Sequence, residues 1–241
     1  MRRIIFPTLS VVVPAYNEEK LLRACLRSVK SCLPPGSELI VCDNNSTDAT
    51  PRIAAEEGAT VVFEPHNQIS RARNAGAKAA TGDWLLFIDA DSVLNPGTLE
   101  DLLLFMKAGC VVGGGCLVAM DRVPKRFLPL VGFWNLCSRL FLVAAGSFVF
   151  CRADAFREVG GFSEELYAGE ELELSQALKR WGRQRGLDFV ILTRCPHVSS
   201  GRKAYLYTGR EMLDLLWRAL PCPLRALRTR EMLPQLYDGR R

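Results

Sequence analysis

The chain has 241 residues, 49% hydrophobic and 24% charged, which suits one large core or two unequal lobes and excludes a mainly disordered protein. Its net charge of +5 is uneven: from Arg194 to Arg241 ten Lys or Arg stand against four Asp or Glu, a balance suited to anionic lipid, a diphosphate or plain solvation. No recognition helix, zinc finger or regular aromatic pattern points to nucleic acid, and the nine cysteines, with no C-x-x-C pair or cluster with histidine, read as buried thiols in a reducing cytosol.

Ile4 to Val13 is broken by Pro7, so Leu9 to Val13 reads as a first strand and not as part of a secretory signal. The expected location is cytoplasmic, with contact at the inner face of a membrane left open. A helix follows around Glu18 to Ser31, with Leu21, Leu22, Cys25, Leu26 and Val29 among its apolar positions. The next strand, Glu38 to Cys42, ends in the polar turn Asp43-Asn44-Asn45-Ser46-Thr47-Asp48, which can hydrogen-bond a ligand or its own backbone. Thr50-Pro51 starts a helix, with Thr50 as its cap, and Gly58 stops it before a strand from Thr60 to Phe63. Another helix spans Ser70 to Ala80.

The run Trp84-Leu85-Leu86-Phe87-Ile88 reads as a buried central strand. Asp89 and Asp91 stand just past its carboxyl end, where open α/β sheets bind ligands. With Ala90 extended, both acids project to one side and can share a divalent cation, although a D-x-D tripeptide alone is also common in solvated turns.

Pro96-Gly97 precedes a helix over Thr98 to Ala108, and Cys110 to Met120 forms a strand whose Gly113-Gly114-Gly115 is either mobile or tightly packed. No G-x-G-x-x-G follows the first strand, so the dinucleotide fingerprint is absent. The apolar region Phe127 to Gly146 contains Pro129, Asn135 and Arg139 and offers no uninterrupted bilayer span. It is expected to be a buried helix or a cover over an acceptor pocket. Core packing then accounts for Leu128, Leu130, Val131, Phe133, Trp134, Leu136, Leu140 and Phe141, a lipid carrier is the alternative, and contact with one leaflet stays open. Gly146 to Cys151 is a strand, Arg152 to Val159 a short helix and Gly160-Gly161-Phe162 a bend. A helix then runs from the Tyr167 to Leu174 segment through Trp181. The acids near its start, Glu170 and Glu171, are electrostatically reasonable there even without catalysis. Alternating strands and helices predict a mostly parallel, three-layer α/β/α sandwich whose right-handed crossovers gather the strand-end loops on one side.

Five ordered motifs over about 160 residues now resemble the family-2 glycosyltransferases of GT-A type. They are Val12-Val13-Pro14-Ala15-Tyr16-Asn17-Glu18-Glu19, the turn from Asp43 to Thr50, Ala72-Arg73-Asn74-Ala75-Gly76, Asp89-Ala90-Asp91, and Gly160-Gly161-Phe162 with the Gly169 to Leu174 segment. The resemblance implies a nucleoside-diphosphate sugar donor, most simply UDP-linked, and a Mn²⁺ or Mg²⁺ ion. It places Pro14, Tyr16 and Glu18 on the nucleotide side, Asp43 at the base, and Arg73 at the donor or the first acid of the D-x-D sequence. Asp91 becomes the direct metal ligand, Asp89 bridges to ribose or metal-bound water, and His197 is either a third ligand or a structural histidine after a strand. Arg202 and Lys203 either close over the diphosphate when donor binds or form a solvated basic loop. Asn74 binds the donor or holds the Asp89 loop. The family usually carries Glu-Asp where this chain has Glu170-Glu171, so Glu171 takes the general-base role with a carboxylate displaced by one methylene.

By the same resemblance, residues 1–120 bind the donor, 121–204 form the acceptor and catalytic part of one domain, and 205–241 make a basic helical extension. The helix-like Arg210 to Leu220 has three open readings: packing on the domain, a homodimer contact, or a membrane surface. The acceptor is a small molecule or a lipid-linked group. The competing functions are a sugar-phosphate nucleotidyltransferase, for which the basic Gly-rich loop is missing, and a non-catalytic glycan-binding relative.

Overall fold

The computed structural model describes residues 7–202 and residue 228. In chain order it has β1 (Leu9–Ala15), α1 (Leu22–Lys30), β2 (Glu38–Asp43), α2 (Thr50–Glu56), β3 (Thr60–Phe63), α3 (Ile69–Ala79) and β4 (Trp84–Ile88). Then come α4 (Pro96–Ala108), β5 (Val111–Asp121), α5 (Leu128–Phe141), β6 (Phe148–Arg152), α6 (Ala153–Glu158), α7 (Glu170–Arg183) and β7 (Asp188–Ser200). The strands form one seven-stranded sheet in the order β3-β2-β1-β4-β6-β5-β7. Pairing is parallel except on the two sides of β6, which runs against β4 and β5. Strands from both sides of residue 120 therefore share the sheet.

The alternation of side chains along β1 divides the core. Leu9, Val11 and Val13 pack with Leu22, Leu26 and Val29 of α1 and Leu99 and Leu102 of α4. Val12 points to the opposite layer, where Ala77 of α3, Phe156 of α6 and Leu174, Leu178 and Trp181 of α7 lie. With helices on both faces, β4 is buried throughout, which is why its sequence is apolar without alternation.

The triglycine of β5 is tightly packed. A Cβ on Gly114 would stand 2.0 Å from the Val190 carbonyl oxygen, and one on Gly113 2.5 Å from that of Phe150. Gly76 does the same for α3: a Cβ there would meet Val12 Cγ1 at 2.4 Å, so only glycine lets the helix lie this close to β1.

Several expectations need correction. Glu18 to Leu21 is a hydrogen-bonded turn that leads into α1, with Leu22 N donating to Glu18 O at 2.9 Å. Thr50 lies inside α2, and its hydroxyl accepts from Glu18 N at 2.8 Å, while Asp48 Oδ1 accepts from Thr50 N at 2.9 Å. His197 is inside β7 and not after a strand. The largest correction concerns α5, a real helix that is not a core helix: Leu128, Leu130, Phe133, Leu136, Leu140 and Phe141 are all more than half exposed. Its inward side carries Asn135 and the buried Ser138 beside the half-buried Val131, Trp134 and Cys137, so the leucines are left outside. The extension over 205–241 and the Arg210 to Leu220 segment lie outside the described residues.

Candidate active site

The sheet turns direction at β1, with β2 and β3 to one side and β4 to the other, so the loops leaving β1 and β4 separate and open a crevice at their carboxyl ends. A cleft of about 320 Å³ lies there. Pro14, Ala15, Tyr16 and Glu18 line it from β1, Asn44 from β2, and Asp89, Ala90 and Asp91 from β4. Asn67 and Ile69 add the start of α3, and Gly146 and Ser147 the entry to β6. Tyr167 to Glu171, leading into α7, close the remaining wall. The two acidic centres read from the sequence thus face one space.

Arg73 joins those centres from beneath. Its side chain is 1% exposed, and it donates from Nη1 to Glu170 Oε1 at 2.6 Å and from Nη2 to Asp89 Oδ1 at 3.0 Å and to the Gly146 carbonyl at 2.7 Å. The guanidinium also packs against the Phe162 ring, 5.1 Å from its centroid. Burial opposes the charge of Arg73, but the carboxylates of Asp89, Glu170 and Glu171 more than offset it and raise its pKa. Arg73 does not itself line the cleft, so it meets the first acid of the D-x-D sequence and not a donor directly.

Glu170 and Glu171 occupy the first turn of α7, after Gly169 in a left-handed conformation at φ 78°. Both line the cleft but have different partners: Glu170 is buried and paired with Arg73, while Glu171 has Gly146 beside it. Burial, then the neighbouring Glu170 charge, pushes the Glu171 pKa up to about 7, against the pull of Arg73. Such a carboxyl exchanges a proton near neutrality.

Around Asp91 lies another cation. Arg202 Nη2 pairs with Glu18 Oε1 and stands 3.3 Å from Asp91 Oδ2. Positive charge is therefore already favoured between these acids. Asp89 and Asp91 offer the hard oxygen donors that Mn²⁺ or Mg²⁺ prefers, so this part of the implied metal site fits. His197 is fully buried, its ring 5.1 Å from that of Phe148, and neither ring nitrogen has a hydrogen-bond partner among the described residues. Burial lowers its pKa to about 4 despite the charge of Asp89, so it is a neutral imidazole at pH 7. Among the described residues, however, no three His, Cys, Asp or Glu side chains are gathered as a cation site, although the charge of Asp89 is felt at His197.

Other expectations are met differently. Asp43 is buried at the end of β2 but does not line the cleft, and its Oδ1 accepts from Ser46 N at 3.2 Å. Asn74 holds the Phe162 bend, not the Asp89 loop: its Nδ2 donates to Phe162 O at 2.9 Å and its Oδ1 accepts from Phe162 N at 3.0 Å. Lys203 lies outside the described residues. Asn44, Asn67, Ser147 and Tyr167 join the cleft without having been singled out from the sequence. The polar turn after β2 was the one signal for Asn44.

The sequence model of glycosyl transferase family 2 matches residues 10–158, which carry the β1, β2, α3 and β4 parts of this cleft. The chain belongs to glycosyl transferase family 2. This family-2 chain is 41% identical over 132 residues to an uncharacterised glycosyltransferase of Mycobacterium tuberculosis, 54% of either chain. It spans about half the length of the curated relatives it matches. A mannosyltransferase of Pyrobaculum calidifontis, solved with GDP-Man and Mn²⁺, superposes with a TM-score of 0.68 over 95% of this chain and 65% of its own, at 18% identity. Glucosyl-3-phosphoglycerate synthase of Mycobacterium tuberculosis, solved with Mn²⁺, UDP and glucosyl-3-phosphoglycerate, does so at 0.65 over 92% of this chain and 80% of its own, at 21% identity. The family-2 chain thus has the GT-A fold.

Proposed function

We propose that the cleft transfers a sugar from a nucleoside-diphosphate sugar, UDP-linked, to an acceptor hydroxyl with inversion at the anomeric carbon. The observation that carries this reading is that Asp89 and Asp91 line the same cleft as Glu171, with Arg73 tying the two walls together. Family membership and the nucleotide ligands of the two superposed proteins support a nucleoside-diphosphate donor, and the UDP of the second supports the uridine form.

In this reading Pro14, Tyr16 and Glu18 wall the nucleotide side, with Asp43 supporting the base through the β2 turn. Asp91 and Asp89 hold Mn²⁺ or Mg²⁺, and His197 is the remaining candidate ligand. When bound, the ion supplies Lewis-acid stabilisation of the negative charge on the departing diphosphate. Arg202, with Lys203 beside it in sequence, adds positive charge at the same place.

Glu171 accepts the proton of the acceptor hydroxyl. As that oxygen forms its bond to the anomeric carbon, the bond to the diphosphate oxygen breaks on the opposite face and its electron pair leaves with the nucleotide. The proton ends on the Glu171 carboxylate and passes to solvent. A base poised near neutrality suits this step. Glu170 is a positioning residue here: it holds Arg73, which in turn holds Asp89.

The test is product analysis. The chain is incubated with sugar nucleotides, Mn²⁺ and acceptor extracts, and products are read by mass and by the anomeric configuration of the new bond. Release of nucleoside diphosphate with an inverted glycoside is expected. Release of pyrophosphate from a nucleoside triphosphate and a sugar phosphate, retention of configuration, or binding without turnover would each overturn the reading.

A further inference from the structure

Helix α5 is amphipathic in the wrong sense for a free surface helix. Its inward side is anchored by polar groups beside the half-buried Val131, Trp134 and Cys137: Asn135 accepts from Val118 N and donates to Val118 O, both at 2.9 Å, and Ser138 donates to Val143 O at 2.7 Å. Its outward side is apolar, with Leu130 63%, Phe133 63%, Leu136 52%, Leu140 68% and Phe141 64% exposed. Phe133, Leu136 and Leu140 fall within about a sixth of a turn of one another, so they form one ridge. An ordinary surface helix has the reverse arrangement.

Charge identifies what fits this ridge. Residues 122–153 contain no Asp or Glu, while Arg122, Lys125, Arg126 and Arg139 are all exposed around the helix. A second copy docked about a two-fold axis would set these cations against their own duplicates with no acid between them. Residues 203–241 are a poor cover for the same reason, having eight Lys or Arg against four acids. An anionic bilayer supplies both hydrocarbon for the ridge and negative headgroups for the collar. At 14 residues α5 is about 21 Å long, too short to cross the hydrocarbon and suited to lying in the interface. Among the described residues no helix is long and apolar enough to span a membrane.

We propose that α5 and its basic flanks are a docking surface for an anionic lipid bilayer. The inference stands on the surface alone and does not depend on the transfer reaction. The test uses the full chain with vesicles of phosphatidylcholine alone and of phosphatidylcholine mixed with phosphatidylglycerol. Cosedimentation with the mixed vesicles only, reversed by salt, is expected. Phe133→Glu with Leu140→Glu should weaken this binding at least about tenfold and leave the thermal midpoint unchanged, and Lys125→Ala with Arg126→Ala should weaken it by a similar factor. Binding to neither vesicle, or binding undiminished in both variants, would overturn the proposal. So would a lowered midpoint in the glutamate variant or its conversion of a dimer to a monomer, because either shows that the ridge is already covered by protein.

Discussion

Arg73 and Glu170 meet at 2.6 Å inside the protein although 97 residues separate them in the chain. Because the same guanidinium reaches Asp89, the donor-side loop after β4 and the acid-bearing first turn of α7 are fixed against each other. One buried cation sets the spacing between the walls of the cleft.

Replacing Arg73 by Met should therefore damage both stability and activity. It leaves Glu170 buried without its partner, a loss of about 3–5 kcal/mol by analogy with other broken buried pairs. Urea unfolding would measure it. The double variant Arg73→Met with Glu170→Leu should recover part of that stability without recovering turnover, separating the buried charge from the positioning of Asp89.

Glu171→Gln should lower turnover by about 10²–10⁴-fold while keeping donor affinity. The same change should stabilise the protein at pH 8. The fold raises the Glu171 pKa from 4.5 to about 7, so across that window the native state holds a proton that the unfolded chain releases. Stability falls as pH rises through the window, and the full penalty is present above it. Discounted for partial exposure, removing the charge should gain about 1–3 kcal/mol at pH 8 and little at pH 4. Wild-type turnover by the variant would remove Glu171 from the base role.

The pH profile of kcat/KM should have an acid limb near pH 7, since the Glu171 carboxylate works only when ionised. Activity rises with pH through that point. A limb near pH 4.5 would mean that the reacting base is an ordinary solvated carboxylate.

Arg202→Gln should have opposite effects on its two roles. With the guanidinium gone from Glu18 and Asp91, Mn²⁺ should bind the donor-free protein several-fold more tightly, as read by the signal of free Mn²⁺. With donor present, kcat should fall because the leaving diphosphate loses a cation. Weaker Mn²⁺ binding in the donor-free variant would contradict the competition between the two cations.

Gly114→Ala should be among the most destabilising single changes in the sheet. The new methyl group would lie 2.0 Å from the Val190 carbonyl oxygen, so β5 and β7 would have to separate. A loss of about 2–4 kcal/mol is expected in denaturant titration. Gly132→Ala, on α5 with open space around its Cβ position, should cost nothing and is the control.

Elements that declare themselves locally were legible in the sequence. The uninterrupted apolar run of β4 reports two covered faces, and the acids after it mark the cleft because strand ends are where this architecture places ligands. Asn67, Ser147 and Tyr167 carried no such mark. Asn67 reaches the cleft from the loop before α3, Ser147 because β6 runs antiparallel beside β4, and Tyr167 because α7 packs back across the sheet, the last two being facts of long-range topology. The bond of Asn74 to the Phe162 bend, 88 residues away in the chain, is of the same long-range kind. The leucines of α5 do not show which side of the helix turns inward; Asn135 and Ser138, whose side chains bond the backbone of Val118 and Val143, are the residues that do.

The antiparallel placement of β6 has one more effect. Since β5 and β6 are neighbours running in opposite directions, the excursion from Arg122 to Ser147 leaves and re-enters the sheet at the same end. Its length is consequently unconstrained by strand register, and lengthening it carries only a slowly growing entropic penalty. The excursion can thus vary in length between Arg122 and Ala145, while its last residues, Gly146 and Ser147, stay tied to Arg73 and to the cleft.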